Sequence, residues 1–168
     1  MRYTLRLLTL DQLSRAAALV CALELMRREN PRELGNWPFE IGLWVGSAAT
    51  PNYMGKPGNE FGVVSKVLEY KQGRADRPPV PLEKCPWCGT NFAPDSFHLH
   101  PDQDNAKELR ITCLGNHCEF TGDRTLPIHM VDEPIYKRVP GFLIATVDKF
   151  AGMPWKGEIA KLFGRVKS

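Results

Sequence analysis

EIGLWVGS, residues 40–47, is apolar at nearly every position and runs into small, turn-forming residues. A strand with one wet face alternates polar and apolar side chains, whereas a strand covered on both faces stays apolar throughout. The stretch therefore predicts a strand covered on both faces, and residues 2–70 read as α/β, a character that returns from Leu126. Upstream, RYTLRLL is a short strand candidate. Thr9 lies three residues before Gln12, the spacing of a capping box that would open a helix. DQLSRAAALVCALELMRREN continues that helix, with Leu13, Ala16, Ala17, Val20, Leu23 and Met26 at helical spacings, up to Asn30-Pro31. Downstream, Val64, Val67 and Leu68 predict another helix through about Tyr70, and GFLIATV at 141–147 is the most persuasive buried strand. KGEIAKLFGR offers a closing short helix.

Composition sets outer limits. With 168 residues, 43% hydrophobic and 24% charged, the chain has material for one ordinary domain and a small appendage. A formal net charge of +3 neither demands nor opposes a nucleic-acid partner. No stretch approaches the roughly 20 apolar residues of a membrane span, and MRYTLRLLTLDQ lacks the pattern of a signal peptide, so a cytoplasmic protein without a membrane partner is expected.

Between the two α/β segments the character changes. KQGRADRPPVPLE, from residue 71, is polar and proline-rich and marks a boundary, giving three expected segments: 1–70, 71–125 and 126–168. The middle one contains KCPWCGTNF and ITCLGNHCEF, which place Cys85, Cys88, Cys113 and Cys118 as two pairs. In a reducing compartment such pairs point to metal rather than disulfides, and four thiolates in a tetrahedron suit a structural Zn²⁺ with no open position for chemistry. Gly89 and Gly115 sit in the turns, where backbone amides approach the sulfurs. Two alternatives stand beside this: His117 replacing Cys118 as fourth ligand, or four free buried cysteines. FHLH and ELRITC predict the strands of a small hairpin too poor in apolar residues to stand unaided. His98 and His100 face one side of it, more readily as solvated residues than as a spare ligand pair, and Cys21 is expected in the core. The basic residues of this segment are interspersed with acidic ones, so no basic stripe forms.

Two look-alikes carry less. LPIHMVDEP imitates an apolar strand ending in a magnesium-binding Asp-Glu, but Asp132 and Glu133 before Pro134 also suit a turn or helix start. MGKPGN has Gly55-Lys56, yet Pro57 stands where a phosphate loop needs Ser or Thr.

The blocks RYTLRLLTLDQLSRAAALVCALELMRREN, LGNWPFEIGLWVGSAATPN, CPWCG, LPIHMVDEPIY and FLIATVDKFAGMPW, in that order, resemble part of the first motor domain of superfamily-two helicases. The resemblance is greatest to the large helicase of the DISARM anti-phage defence system and its four-cysteine relatives. It implies a partial RecA-like parallel-sheet domain with an inserted zinc ribbon, within an ATP-dependent DNA helicase or translocase. It places Arg6 and Thr9 in the motif Ia position, Gly46 and Ser47 in the turn after the buried strand, and Thr146 and Lys149 in motif Ib, all beside the strand of a single-stranded or junction DNA. Such contacts to phosphate and sugar bind without sequence preference. The family's phosphate loop precedes motif Ia and its Asp-Glu box follows motif Ib, so Asp132-Glu133 comes too early. The resemblance thus implies an internal fragment that hydrolyses no ATP by itself, with ATP and Mg²⁺ belonging to the full-length parent and the remainder of the helicase chain as a partner. A different class of reading is a non-enzymatic zinc-ribbon module that binds nucleic acid or protein.

Overall fold

The computed structural model describes residues 5–46 and 50–151. Three parallel strands form the centre in the order β4-β1-β5: β1 (Ile41–Trp44) lies between β4 (Ile128–His129) and β5 (Phe142–Ala145). All four residues of β1 are buried, as EIGLWVGS required. The two-residue period of a strand sends Ile41, Leu43 and Val45 into the main core and Trp44 to the opposite face against Ile135 and Tyr136. Gly42 shares the Trp44 side. A Cβ there would come within 2.9 Å of both the Leu143 and Pro140 side chains, so the absence of a side chain lets the segment around α4 (Asp132–Arg138) lie close to the sheet.

The main-core face is covered by α1 (Leu5–Glu29). Among its described side chains Leu13, Ala17, Val20, Cys21 and Glu24 are buried, spaced mostly three and four apart along one face. Leu19 and Met26, at 58% and 55% exposure, lie off that face, so the broadly apolar AAALVCAL run packs on one side. The helix stops at Glu29 before Pro31, which opens the single-turn α2 (Pro31–Leu34).

Two sequence expectations are corrected here. RYTLRLL is not a strand where it is described: Leu5 to Leu8 already belong to α1, so Thr9 lies within the helix rather than at its start. Leucine, arginine and glutamine are strong helix formers, and three alternating positions were too few to outweigh them. GFLIATV does form a strand, but β5 has β1 as its one neighbour among the described residues, and Phe142 is 42% exposed. An edge position leaves its apolar residues half-covered. KGEIAKLFGR lies outside the described residues.

The proline-rich connector follows α3 (Val63–Lys71) and leads to an antiparallel hairpin, β2 (Phe97–His100) with β3 (Glu108–Ile111). Phe97, Leu109 and Ile111 point inward, while His98 and His100 lie on the outer, exposed side. The hairpin is richer in support than its own sequence suggests. Phe97 meets Tyr70 of α3 and Phe92 edge-on at 5.8 Å each, and Arg28 of α1 lies over the Phe120 ring at 5.5 Å. Its buried residues are continuous with those of α1 and the sheet. Backbone bonds complete the junction: Leu126 N donates to Ile111 O and Ile41 N to Pro127 O.

Candidate metal centre and sheet-edge site

Each cysteine pair sits in a tight backbone turn. Around the first, Cys85 N donates to Thr90 O and Gly89 N to Cys85 O, with Gly89 at φ +78°, a left-handed conformation that glycine adopts freely. Around the second, Cys113 N donates to Phe120 O and Cys118 N to Gly115 O. The turns face each other and bring Cys85, Cys88, Cys113 and Cys118 together, with all four sulfurs within 4.8 Å of one another. Cys85 and Cys118 Sγ are 3.9 Å apart and Cys88 and Cys113 Sγ 3.4 Å. Zinc–sulfur bonds of about 2.3 Å in a tetrahedron separate the sulfurs by about 3.8 Å, so this set fits such an ion with little adjustment. Cys118, not His117, joins the group, and none of the cysteines is in a disulfide.

The electrostatics also fit a cation. Burial pushes the Cys85 thiol well above its ordinary range and Cys118 up to about 11, so neither ionises readily without a positive charge beside it. Burial acts on Cys88 in the same direction but is outweighed by hydrogen bonds from the Thr90 side chain and backbone and from neighbouring thiols, which hold it down at about 6. Thr90 Oγ1 lies 3.2 Å from Cys88 Sγ, and Gly115 N donates to Cys113 Sγ at 3.3 Å. Polar groups thus support both sulfurs from outside, as ligand thiolates require.

Gly115 is needed for want of space rather than for its dihedral. A Cβ there would lie 2.8 Å from Thr90 Oγ1 and within 3.5 Å of the Cys113 and Cys88 sulfurs. Gly115→Ala should therefore swing Thr90 away from Cys88, lower metal affinity by about tenfold, the low end for a lost outer contact, and leave the stoichiometry at one ion. Competition with a chromogenic chelator would read this. An unchanged affinity would show that the thiolates need no such support.

A second polar cluster occupies the carboxyl ends of the parallel strands. Asp132 begins α4 just after β4 and is 2% exposed. Its Oδ2 accepts from Lys149 Nζ at 2.5 Å, Trp44 Nε1 at 3.2 Å and Tyr136 OH at 3.3 Å. Lys149, in α5 (Val147–Ala151), also donates to Asn52 Oδ1 at 3.2 Å, and its side chain is 11% exposed. Burial raises the Asp132 carboxyl above its usual range, although the bonds from Lys149, Tyr136 and Trp44 oppose that shift. Asp132 Oδ1 and Thr146 Oγ1 are buried without a hydrogen-bond partner among the described residues. Glu133 points elsewhere, accepting from Met54 N and Lys137 Nζ.

Of the strand-contact residues expected from sequence, the structure brings Gly46, Thr146 and Lys149 to this one edge. Thr146 N donates to Trp44 O, and Gly46 O accepts from Thr50 N. Arg6 and Thr9 are in the first turns of α1, with side chains outside those described, and Ser47 is outside the described residues. Sequence reasoning missed the partnership of Asp132 with Lys149, which lie 17 residues apart and meet only because β4 and β5 flank the same strand.

No family model matches the chain. Aligned over 170 residues, however, it is 36% identical to DISARM protein DrmA of Bacillus paralicheniformis (strain ATCC 9945a / NCIMB 11709 / CD-2). Along its whole length the chain resembles one stretch of a DISARM protein. The match covers 99% of this chain and 15% of that protein. Among the described residues no helix is long and apolar enough to cross a membrane.

Proposed function

We propose that this chain forms part of the strand-binding floor of the first motor domain of a superfamily-two DNA helicase or translocase acting in anti-phage defence, with Zn²⁺ held by Cys85, Cys88, Cys113 and Cys118 as a structural staple. The observation that carries the reading is the 36% identity to DISARM protein DrmA across the chain. The parallel sheet supports it: in open α/β sheets, ligands lie beyond the carboxyl ends of the strands, where Gly46, Thr146 and Lys149 collect. On this reading the body is a partial RecA-like domain built from residues 1–70 and 126–168, and residues 71–125 are an inserted ribbon. ATP, Mg²⁺ and the closing motor domain are supplied elsewhere in the parent protein, and this segment grips the phosphate backbone during each step.

Fluorescence anisotropy of a labelled single strand tests it. A floor making two or three phosphate contacts predicts weak, sequence-indifferent binding that falls by about tenfold between roughly 50 and 200 mM salt. Absence of saturable binding at the lower salt would overturn the reading. One observation favours the second reading, a docking module: Trp87 and Leu114, on the two cysteine turns, are 40% and 44% exposed. Metal without strand binding would move the assignment there.

A further inference from the structure

We infer that the seam between the cysteine hairpin and the parallel sheet is a binding site for a small free oxyanion, a phosphate or a compact carboxylate. A cavity of about 170 Å³ lies there, between α1, β3, β4 and α4 and away from both sites already described. That is far above the ~10–15 Å³ a single water needs.

The hydrogen-bond inventory of its walls identifies the guest. The carboxylates are already engaged. Glu24, 2% exposed, accepts on one oxygen from Arg27 and Arg28 and on the other from Arg27 and Phe39 N, at 2.8–3.0 Å. Glu40, 5% exposed, accepts on both oxygens from Arg138. Glu108 Oε1 accepts from Arg110 Nε at 2.6 Å and Nη2 at 2.5 Å. The donors are not used up. Arg28 spends only Nε on Glu24, and one terminal nitrogen of Arg110 and of Arg138 has no protein acceptor among the described residues. His129 Nε2 is buried 3.2 Å from Glu40 Oε1 and has no other acceptor among the described residues. Spare donors outnumber the spare carboxylate oxygen, Glu108 Oε2, and so favour an anion.

Charge and enclosure limit its size. Arg28, Arg110 and Arg138 equal Glu24, Glu40 and Glu108 in number around the cavity, so its walls are neutral overall and a single small anion is the most they accommodate. A polynucleotide would press further phosphates against the three carboxylates and is disfavoured here. Arg28 and Arg110 have side chains 31% and 42% exposed, which places them on the rim as the entry.

Calorimetric titration of the purified chain with inorganic phosphate, and separately with malonate, at ionic strength held constant with sodium chloride, tests the site. Saturable binding of one anion per chain is expected from at least one of the two, and which one binds identifies the preferred geometry. Arg28→Gln and Arg110→Gln should each weaken it by about tenfold, the loss of one charge-assisted hydrogen bond, with the circular dichroism spectrum unchanged. Arg110→Lys, which keeps the charge but loses the fork, should fall between wild type and Arg110→Gln. Two results would overturn the site: no saturable heat from either anion, or binding that survives the Arg28→Gln/Arg110→Gln double variant. Competition by a single-stranded oligonucleotide for the same anion would also count against it.

Discussion

Cys113→Ser should abolish metal binding and unfold the cysteine hairpin together with the packing it shares with α1. Cys113 is fully buried, its amide is fixed to Phe120 O, and its sulfur is 3.4 Å from that of Cys88. Serine offers a harder, poorly ionised oxygen in place of a thiolate, leaving three ligands and an incomplete shell. Apparent binding free energies of structural zinc sites run to about 10–16 kcal/mol, comparable to or above the roughly 5–15 kcal/mol that holds an entire domain together. No local adjustment offsets such a loss. The damage should spread, because Phe120 is fully buried under Arg28 and belongs to the same apolar cluster as Leu13, Ala17 and Val20. Elemental analysis should fall from one zinc per chain to none, and the cooperative thermal transition should broaden or vanish. Cys21→Ala is the control. Cys21 is equally buried, but it lies on α1 outside the sulfur cluster, and burial pushes its thiol up to about 12, so it stays an uncharged packing group. That variant should keep its zinc. A Cys113→Ser chain that melts like wild type would mean the hairpin stands on its aromatic contacts alone.

What was legible in the sequence followed from local signals. The unbroken apolar run of EIGLWVGS fixed a strand buried on both faces, because that pattern has no other use in a short segment flanked by turns. The paired cysteines gave the four-thiol cluster, since close spacing in sequence makes each pair converge in its own turn. The hairpin strands FHLH and ELRI were readable from alternation. The misreadings came from what a local pattern does not contain. Whether Leu5 to Leu8 extend α1 depended on the competition between three alternating residues and a strong helix beginning directly after them. Whether β5 is central or at an edge depends on neighbours contributed by other parts of the chain. The cavity walls are a more extreme case. Glu24, Glu40, Glu108 and His129 come from distant stretches, and no local pattern in the sequence brings them together.

Asp132→Ala should cost about 3–5 kcal/mol, the usual penalty for removing one partner of a buried ion pair. For a chain of this size that lowers the thermal midpoint by roughly 10 °C. The loss is large because Lys149, 11% exposed, would keep its charge with Asn52 Oδ1 as its remaining acceptor, in a site built around a carboxylate. Lys149→Met should be milder. Burial already raises the Asp132 carboxyl, so without its ammonium partner it can take up a proton and remain as a neutral acceptor and donor between Trp44 and Tyr136. The Asp132→Ala/Lys149→Met pair should then be less damaging than the two single losses added together, a coupling that a double-mutant cycle measures directly. The same pair separates a structural role from strand binding. If Lys149 also reaches a phosphate of the bound strand, Asp132 competes with that phosphate for one ammonium. Asp132→Asn, which keeps the shape but drops the negative charge, should then tighten strand binding at low salt while lowering stability, and Lys149→Met should weaken binding while costing less stability. Parallel changes in both variants would instead assign Lys149 to holding the sheet edge together, with the phosphate grip elsewhere.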